Sequence, residues 1–363
     1  MRRTFTSPQR QQGKPLLALR AGNAPATTMD TSTPTPTDDR IVELVAKCRD
    51  ALRLDQYLVS LFADFSRSVV QRVIDAGGVQ VNGKTAKASY RVRHGDRIRI
   101  EKPEPTHPTP IAEDIPLDIL YEDEFLAAVN KPSDMVVHPA KGHWSGTLVN
   151  ALRFHFDHLS EANGDYRAGI VHRLDRDTSG VILIAKEERT HRDLSQLFEQ
   201  RKIFKEYIAL TAGVLDRDSD YIEGRIAHHP HDRIKMTVTD DEDDDGKDAV
   251  SYYEVIERFR GFSFCRIQPR TGRTHQIRVH LASIDCPVLA DKVYGGRDRL
   301  HLSDLVPDLS SEQDELLLER QALHAYRLRL RHPRSGQLLE LEAPLPAEFQ
   351  KTLAALRQYR ARS

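Results

Sequence analysis

The residues best placed to do chemistry stand in AGIVHRLDRDTSGVILIAK (168–186), where two apolar strand-like runs flank His172, Arg173, Asp175, Arg176, Asp177, Thr178 and Ser179, closed by Gly180. A polar turn, with Asp177 or Ser179 capping backbone amides, would explain part of this. It would not explain Arg, Asp, Arg and Asp packed between two buried strands. Opposite charge nearby favours the charged form of a carboxyl group, and a carboxylate anchored in this way can act as nucleophile or base. A second cluster is QPRTGRTHQIRVHLA (268–282). Thr271-Gly272 is expected to end a strand and a helix to begin near Thr274, with Ile277, Leu281 and Ile284 as its buried stripe. His275 and Arg278, three apart, would share another face and could meet a carboxylate or phosphates. A basic surface helix is the plainer alternative, but Arg273, His275, Arg278 and His280 on one short element favour anion binding. NKPSDMVVHP (130–139), KEY (205–207) and YRLRLRH (326–332) are weaker signals taken singly.

These clusters need elements to hold them. Leu54, Tyr57, Leu58 and Leu61 recur at helical spacing, as do Val69, Val70, Val73 and Ile74 after Ser66 or Ser68 as N-cap. Gly77-Gly78 ends that second helix. Asn82-Gly83 in VQVNGK is a hairpin signal, and RVRHGDRIRI alternates basic and apolar residues across a turn at Gly95-Asp96, as a strand with one solvated basic face would. KPEPTHPTPIAEDIP (102–116) holds five prolines and reads as an extended spacer. Beyond it, short β-rich runs (DILYEDEFLAAVNK, AGIVHRLD, GVILIAK, YIALTAGVL, SYYEVIERF, FSFCRIQP, YRLRLRH, QLLELEAP) are interrupted by two helices, around Thr190–Gln200 and His275–Ile284. That order implies an α+β fold with a mixed, mostly antiparallel sheet. The expected division is a disordered tail at 1–40, a compact unit at 41–102, a linker at 103–116, a large domain at 117–355 and a basic tail at 356–363.

Bulk properties exclude little. Lys plus Arg number 53 against 54 Asp plus Glu, a formal charge of −1, yet residues 53–102 carry ten Lys/Arg and five Asp/Glu. A basic stretch suits a polyanion, because phosphate contacts release counterions; a solvated charged face is the bland alternative. The run DDEDDD at 240–245 offsets the basic character elsewhere. Three scattered cysteines allow neither a disulfide framework nor a zinc spacing, and no apolar run approaches the ~20 residues of a membrane span. Residues 1–28 contain Arg2, Arg3, Arg10, Lys14 and Arg20 and no acid. This resembles a transit peptide, but a disordered tail, or a start at Met29, is the preferred reading, and bacterial cytoplasm is favoured over organelle import.

HRLDRDTSG (172–180) closely resembles the signature motif of the large-subunit type of pseudouridine synthases. NKPSDMVVHP, KEY, TGRTHQIRVHLASIDCPVLADKVYGG (271–296) and RQALHAYRLRLRHP (320–333) resemble the family's other motifs in order and spacing. Residues 53–102 resemble an S4 RNA-binding module, and HHPHDRIKM (228–236) resembles, more loosely, the D branch of the ribosomal large-subunit enzymes. The resemblance implies that Asp175 is the catalytic carboxylate and Arg278 its ion-pair partner. Tyr207 would lie against the target base and assist proton removal from C5, and Leu328 would wall the pocket. His172 and Arg173 would support the site, Arg273 and His275 would contact RNA, and Arg67, Arg72, Lys84, Arg91, Arg93 and Arg97 would bind RNA from the S4-like region. The implied reaction conserves atoms and electrons, so no metal, nucleotide or redox cofactor is expected. The implied partner is large-subunit rRNA or a pre-ribosomal particle, with uridines of the helix 69 stem-loop as targets, acted on by a monomer with no membrane association. A tRNA substrate, a non-catalytic assembly factor and a metal hydrolase built on HHPH (228–231) are the alternatives, with an aspartyl-phosphate phosphatase fitting least well.

Overall fold

The structure is a computed structural model and describes residues 41–362 apart from 49–50, 63–66, 102–108, 140–141, 233, 240–245, 308 and 311. Four expectations, namely the tail at 1–40, Ser66 as a cap, the first half of the spacer and the acidic run, lie outside those residues.

Strand β1 (Ile41–Val45), helices α1 (Leu54–Leu61) and α2 (Arg67–Asp75), and strands β2 (Val79–Val81), β3 (Lys84–Thr85) and β4 (Arg97–Glu101) form the first part of the chain. The strands pair in the order β1-β4-β2-β3. The expected periodicities reach the core: Leu54, Tyr57, Leu58, Val70, Ile74, Ile98 and Ile100 are buried together, while Leu61 is 47% exposed and drops out of the expected stripe. In β4 burial alternates strictly, leaving Arg97 and Arg99 on the solvent face. Asn82 (φ 51°) and Gly83 (φ 78°) turn β2 into β3 in left-handed conformations, as an Asn-Gly hairpin requires. Asp96 secures the next turn, accepting hydrogen bonds from Asn82 Nδ2 (2.9 Å), Tyr90 OH (3.1 Å) and the Arg93 amide (2.8 Å).

The remainder is built on a ten-stranded sheet. Its strands are β5 (Asp118–Glu122), β6 (Leu126–Lys131), β7 (Ser179–Ala185), β8 (Phe204–Ala212), β9 (Ser219–His228), β10 (Met236–Thr239), β11 (Lys247–Phe259) and β12 (Phe262–Pro269), followed, after a small β13 (Leu300–His301)–β14 (Leu316–Leu318) pair, by β15 (Leu323–Arg331) and β16 (Leu338–Glu342). The order is β10-β9-β11-β12-β8-β15-β7-β6-β5, with β16 on the second edge of β15. Pairing is antiparallel except between β15 and β7. Strand β7 (SGVILIA) is buried at every position, as befits a central strand covered on both faces; each of its Val, Ile and Leu side chains contributes about 1.5–3 kcal/mol by burial.

Four helices pack here: α3 (Leu148–His155), α4 (Glu188–Glu199), α5 (Gln276–Ser283) and α6 (Ala347–Tyr359). The sequence reading missed α3 and α6. Helix α3 opens with a Thr147/Asn150 capping box, a start signal that short, mixed TLVNALRFH does not otherwise support. Helix α6 runs through the expected boundary at 355/356, because Phe349, Leu353 and Leu356 pack into the main core. The second half of the spacer is not free chain. Asn150 Nδ2 donates to the Ile111 carbonyl (2.7 Å), the Glu113 amide to Asn150 O (3.0 Å), and His155 Nε2 lies 2.8 Å from Ile115 O, so 111–115 is stitched to α3. Residues 168–175 do not form the expected strand; a single bridge, Ile170 to Ile184, ties them to β7.

The parallel contact depends on Gly180, whose φ is +116°. A Cβ there would lie 2.2 Å from the Ala325 carbonyl oxygen. Gly180→Ala is expected to cost about 3 kcal/mol or more, from strained backbone plus overpacking, read as a lowered urea midpoint or loss of soluble protein.

Candidate active site

The segment carrying Asp175 crosses from the Ile170 bridge to β7, and its backbone is fixed from two sides. Lys131, fully buried at the end of β6, donates from Nζ to the carbonyls of Pro132 (2.7 Å), Met135 (2.9 Å) and Arg176 (3.0 Å). Burial, with Arg320 adding to it, pushes the Lys131 pKa down to about 7. From the other side come residues before and within β15. Arg320 Nη1 donates to Asp177 O (3.2 Å) and Nη2 to Ser179 Oγ (3.1 Å), Gln321 Nε2 donates to Thr178 Oγ1 (2.7 Å), and Ser179 Oγ lies 2.8 Å from His324 Nδ1. The Thr178 amide closes a turn on Asp175 O at 3.1 Å. Asp175 is thereby presented by a rigid loop beside the parallel β7–β15 pair.

Helix α5 supplies the counter-charge. Arg278 is buried, and its Nη1 reaches Asp175 Oδ2 at 3.0 Å. Its Nε and Nη2 are engaged from behind by Asp291, at 2.6 and 2.8 Å. Burial disfavours the guanidinium charge, but hydrogen bonds and charge from Asp291 and Asp175 outweigh it and raise the Arg278 pKa. Asp291, itself fully buried, also accepts from the Val293 and Tyr294 amides, and the Tyr294 ring lies 5.0 Å beneath the Arg278 guanidinium. His275 is not a helical residue as expected; it is the N-cap of α5 in a left-handed conformation (φ 54°), and the helix starts at Gln276. It still faces the carboxylate, with Nε2 4.0 Å from Asp175 Oδ1 and Nδ1 2.9 Å from Tyr294 OH. Ile277 and Leu281 are buried as expected, whereas Ile284 is 37% exposed.

Asp175 opens onto a cavity of about 760 Å³. Seven Arg or Lys side chains line it against two carboxylates, Asp175 and Glu199. Arg173 and Arg273 stand on its wall, Arg273 donating from Nε to Asp248 O at 3.1 Å. Tyr207 faces in from β8; burial, then the charge of Asp175, raise its pKa above the ordinary value, so it is a neutral phenol at physiological pH. His172 lines the cavity too, but its Nε2 accepts the Leu183 amide (2.9 Å) and its ring packs on Phe198 (4.5 Å). Leu328 does not wall the cavity. It is buried in another cluster with Leu126, Val181 and Leu183, and Leu323 lines the cavity in its place. The expectation for Leu328 came from the resemblance; in the structure Leu328 packs with Val181 and Leu183, beyond a register shift between Ala325 and Arg327. Arg72, Lys84, Arg91, Arg93 and Arg97 are solvent-exposed in the first part of the chain; the Arg67 side chain lies outside the described residues. No cluster of three metal-ligating side chains occurs among the described residues, HHPH included.

Asp291, Tyr294 and Lys131 were missed as site residues. For Asp291 a signal existed: a lone acid in CPVLAD, where an apolar run predicts burial and a buried carboxylate needs a partner. Asp291→Ala, which strips Arg278 of two of its three hydrogen bonds to carboxylates, is expected to cost about 3–5 kcal/mol of stability in urea unfolding. A second expectation concerns acid. Burial holds His172 and His324 neutral, with pKa values pushed down to about 3 and about 4. The unfolded chain binds these protons near pH 6.5, the folded chain only near 4 or below. Stability is therefore complete above about pH 6.5 and lost as pH falls toward 4. The urea midpoint should fall between pH 6.5 and 5, less steeply in His324→Gln.

The sequence profile of the S4 domain matches residues 52–98, and that of the RNA pseudouridylate synthase family matches residues 126–283. The ribosomal large subunit pseudouridine synthase D of Pasteurella multocida is 42% identical over 84% of this chain and 91% of its own. The uncharacterized RNA pseudouridine synthase YlyB of Bacillus subtilis is 41% identical over 84% of this chain and 94% of its own. The solved structure of human RNA pseudouridylate synthase domain containing 4 superposes with a TM-score of 0.50 at 26% identity, over 66% of this chain and 93% of that one. The chain therefore belongs to the RNA pseudouridine synthase family and carries an S4 domain ahead of its synthase region.

Proposed function

We propose that this protein converts specific uridines of large-subunit rRNA, in the helix 69 stem-loop, to pseudouridine, with Asp175 as the catalytic carboxylate. The observation that carries the reading is the Asp175–Arg278–Asp291 chain at a cavity of about 760 Å³ lined by cations. The names of the relatives at about 40% identity support large-subunit rRNA as substrate.

The reaction breaks the bond between ribose C1′ and uracil N1, turns the base and joins C1′ to C5. Asp175 either attacks C1′ or takes a ribose proton. Both roles need a carboxylate fixed in direction, and Arg278 fixes it through Oδ2, leaving Oδ1 toward His275 at 4.0 Å. Tyr207, a neutral phenol, packs against the base and assists loss of the C5 proton, which is balanced by the proton gained at N1, so nothing is consumed overall. The uridine must leave its stack, at a cost of a few kcal/mol, and cationic and aromatic side chains around the cavity offset that cost. Residues 41–102 would hold flanking RNA through Arg72, Lys84, Arg91, Arg93 and Arg97, ahead of a linker at 103–116 and a synthase domain from 117. The reading takes the protein as a monomer in the bacterial cytoplasm, one S4-like arm and one such site sufficing, and no helix among the described residues is long and apolar enough to cross a membrane.

Pseudouridine mapping of total RNA from cells with the wild-type protein, with Asp175→Asn and with none tests this. Loss of the same rRNA sites in mutant and null is the expected outcome and names the substrate. Identical maps in all three would remove Asp175 from the chemistry and leave RNA binding as the function.

A further inference from the structure

The far side of the cavity holds charge that the reaction above does not use. Lys205 sits two residues before Tyr207 on β8, on the same face of the strand, about 7 Å along it, a distance on the scale of one nucleotide. Its Nζ donates to the Thr271 carbonyl at 3.0 Å. Thr271 is itself fixed: its hydroxyl donates to Gln276 Oε1 (2.7 Å) and accepts the Val250 amide (3.1 Å). An ammonium has three donors, so two remain for the cavity. Among the described residues no carboxylate pairs with Lys205; its charged neighbour is Arg201, and burial followed by Arg201 lowers its pKa to about 8. A largely buried cation whose charged neighbour is a second cation, and which no carboxylate pairs among the described residues, lacks the partner that buried charge ordinarily keeps.

Arg201 adds an independent observation. Helix α4 ends in a Schellman arrangement, with the Lys202 amide on Leu197 O (2.9 Å) and the Arg201 amide on Phe198 O (3.1 Å). The residue between these bonds must be left-handed, and there glycine is usual. Here it is Arg201, at φ 58°. An L-residue in that conformation is strained, and strain of this kind collects at functional sites. The position keeps a guanidinium on the cavity wall where glycine would make the better helix end.

We propose that Lys205 and Arg201 form a phosphate subsite, holding one backbone phosphate next to the uridine that enters against Asp175 and Tyr207. This rests on the RNA-isomerase reading above.

The test uses full-length protein carrying Asp175→Asn, so that binding is read without turnover. The probe is a stem-loop oligoribonucleotide around the uridine that the mapping identifies. It is made with natural phosphates and with a single methylphosphonate 5′ or 3′ of that uridine, with 2′-O-methyl on the adjoining ribose in probe and control alike. Lys205→Met should weaken Kd on the order of tenfold or more, and lower the slope of log Kd against log salt by ~0.7–0.9; Lys205→Arg should restore both. Arg201→Gly should raise the melting temperature while weakening RNA binding, a split that a purely structural residue would not produce. On one of the two methylphosphonate probes, wild-type and Lys205→Met should bind alike. Wild-type affinity in Lys205→Met or Arg201→Gly, or a loss of the same size on both modified probes, would overturn the subsite. Modification of the natural probe by protein with Asp175 intact is followed in parallel; its failure would count against the isomerase reading and leave the affinity comparison readable.

Discussion

Arg278 is shared between two carboxylates, and the site depends on that sharing. A buried guanidinium has lost its hydration and needs its donors filled. Asp291 takes two of them from behind, and Asp175 takes one from the front. Because Asp291 is itself anchored by the Val293 and Tyr294 amides, the guanidinium cannot swing. The direction of Asp175 is therefore set by α5 and the turn at 291–294, over a hundred residues further along the chain. An exposed ion pair of the same composition would contribute little and hold nothing in place.

The sheet makes this convergence possible. β7 and β15 meet in parallel, and Gly180 lets their backbones approach where a methyl group would collide with Ala325. That approach brings Arg320, Gln321 and His324 onto the loop carrying Asp175, while Lys131 reaches its far side. The loop has no regular secondary structure, yet its polar groups are largely satisfied within the protein, which is how an irregular segment is kept rigid. The same strands distribute the cavity's charge: β8 carries Tyr207 and Lys205 on one face, and the link from β12 to α5 carries Arg270, Arg273 and His275. The walls are thus cationic in a chain with a formal charge of only −1, which is why bulk charge said nothing about RNA.

What the sequence determined by itself was local. Period-two and helical spacing located β4, α1, α2, α4 and most of the sheet, because burial on one face leaves its period in the residues. The Asn82-Gly83 turn followed from backbone conformations open to those residues. HRLDRDTSG and GRTHQIR marked the chemistry, since charged residues packed against apolar runs have few other reasons to be there. Tertiary structure decided the rest. That α3 and α6 are helices depends on a capping box and on packing into the core, not on strong periodicity. That Leu323 rather than Leu328 lines the cavity depends on Leu328 packing against Leu126, Val181 and Leu183, which no spacing rule records. That Asp291 governs Arg278, that Arg278 meets Asp175 across 103 positions of the chain, and that Lys205 has no carboxylate partner among the described residues are facts of spatial arrangement. Local pattern reports which face a residue shows; it carries no information about what lies opposite, and opposition is what sets the geometry and electrostatics of this site.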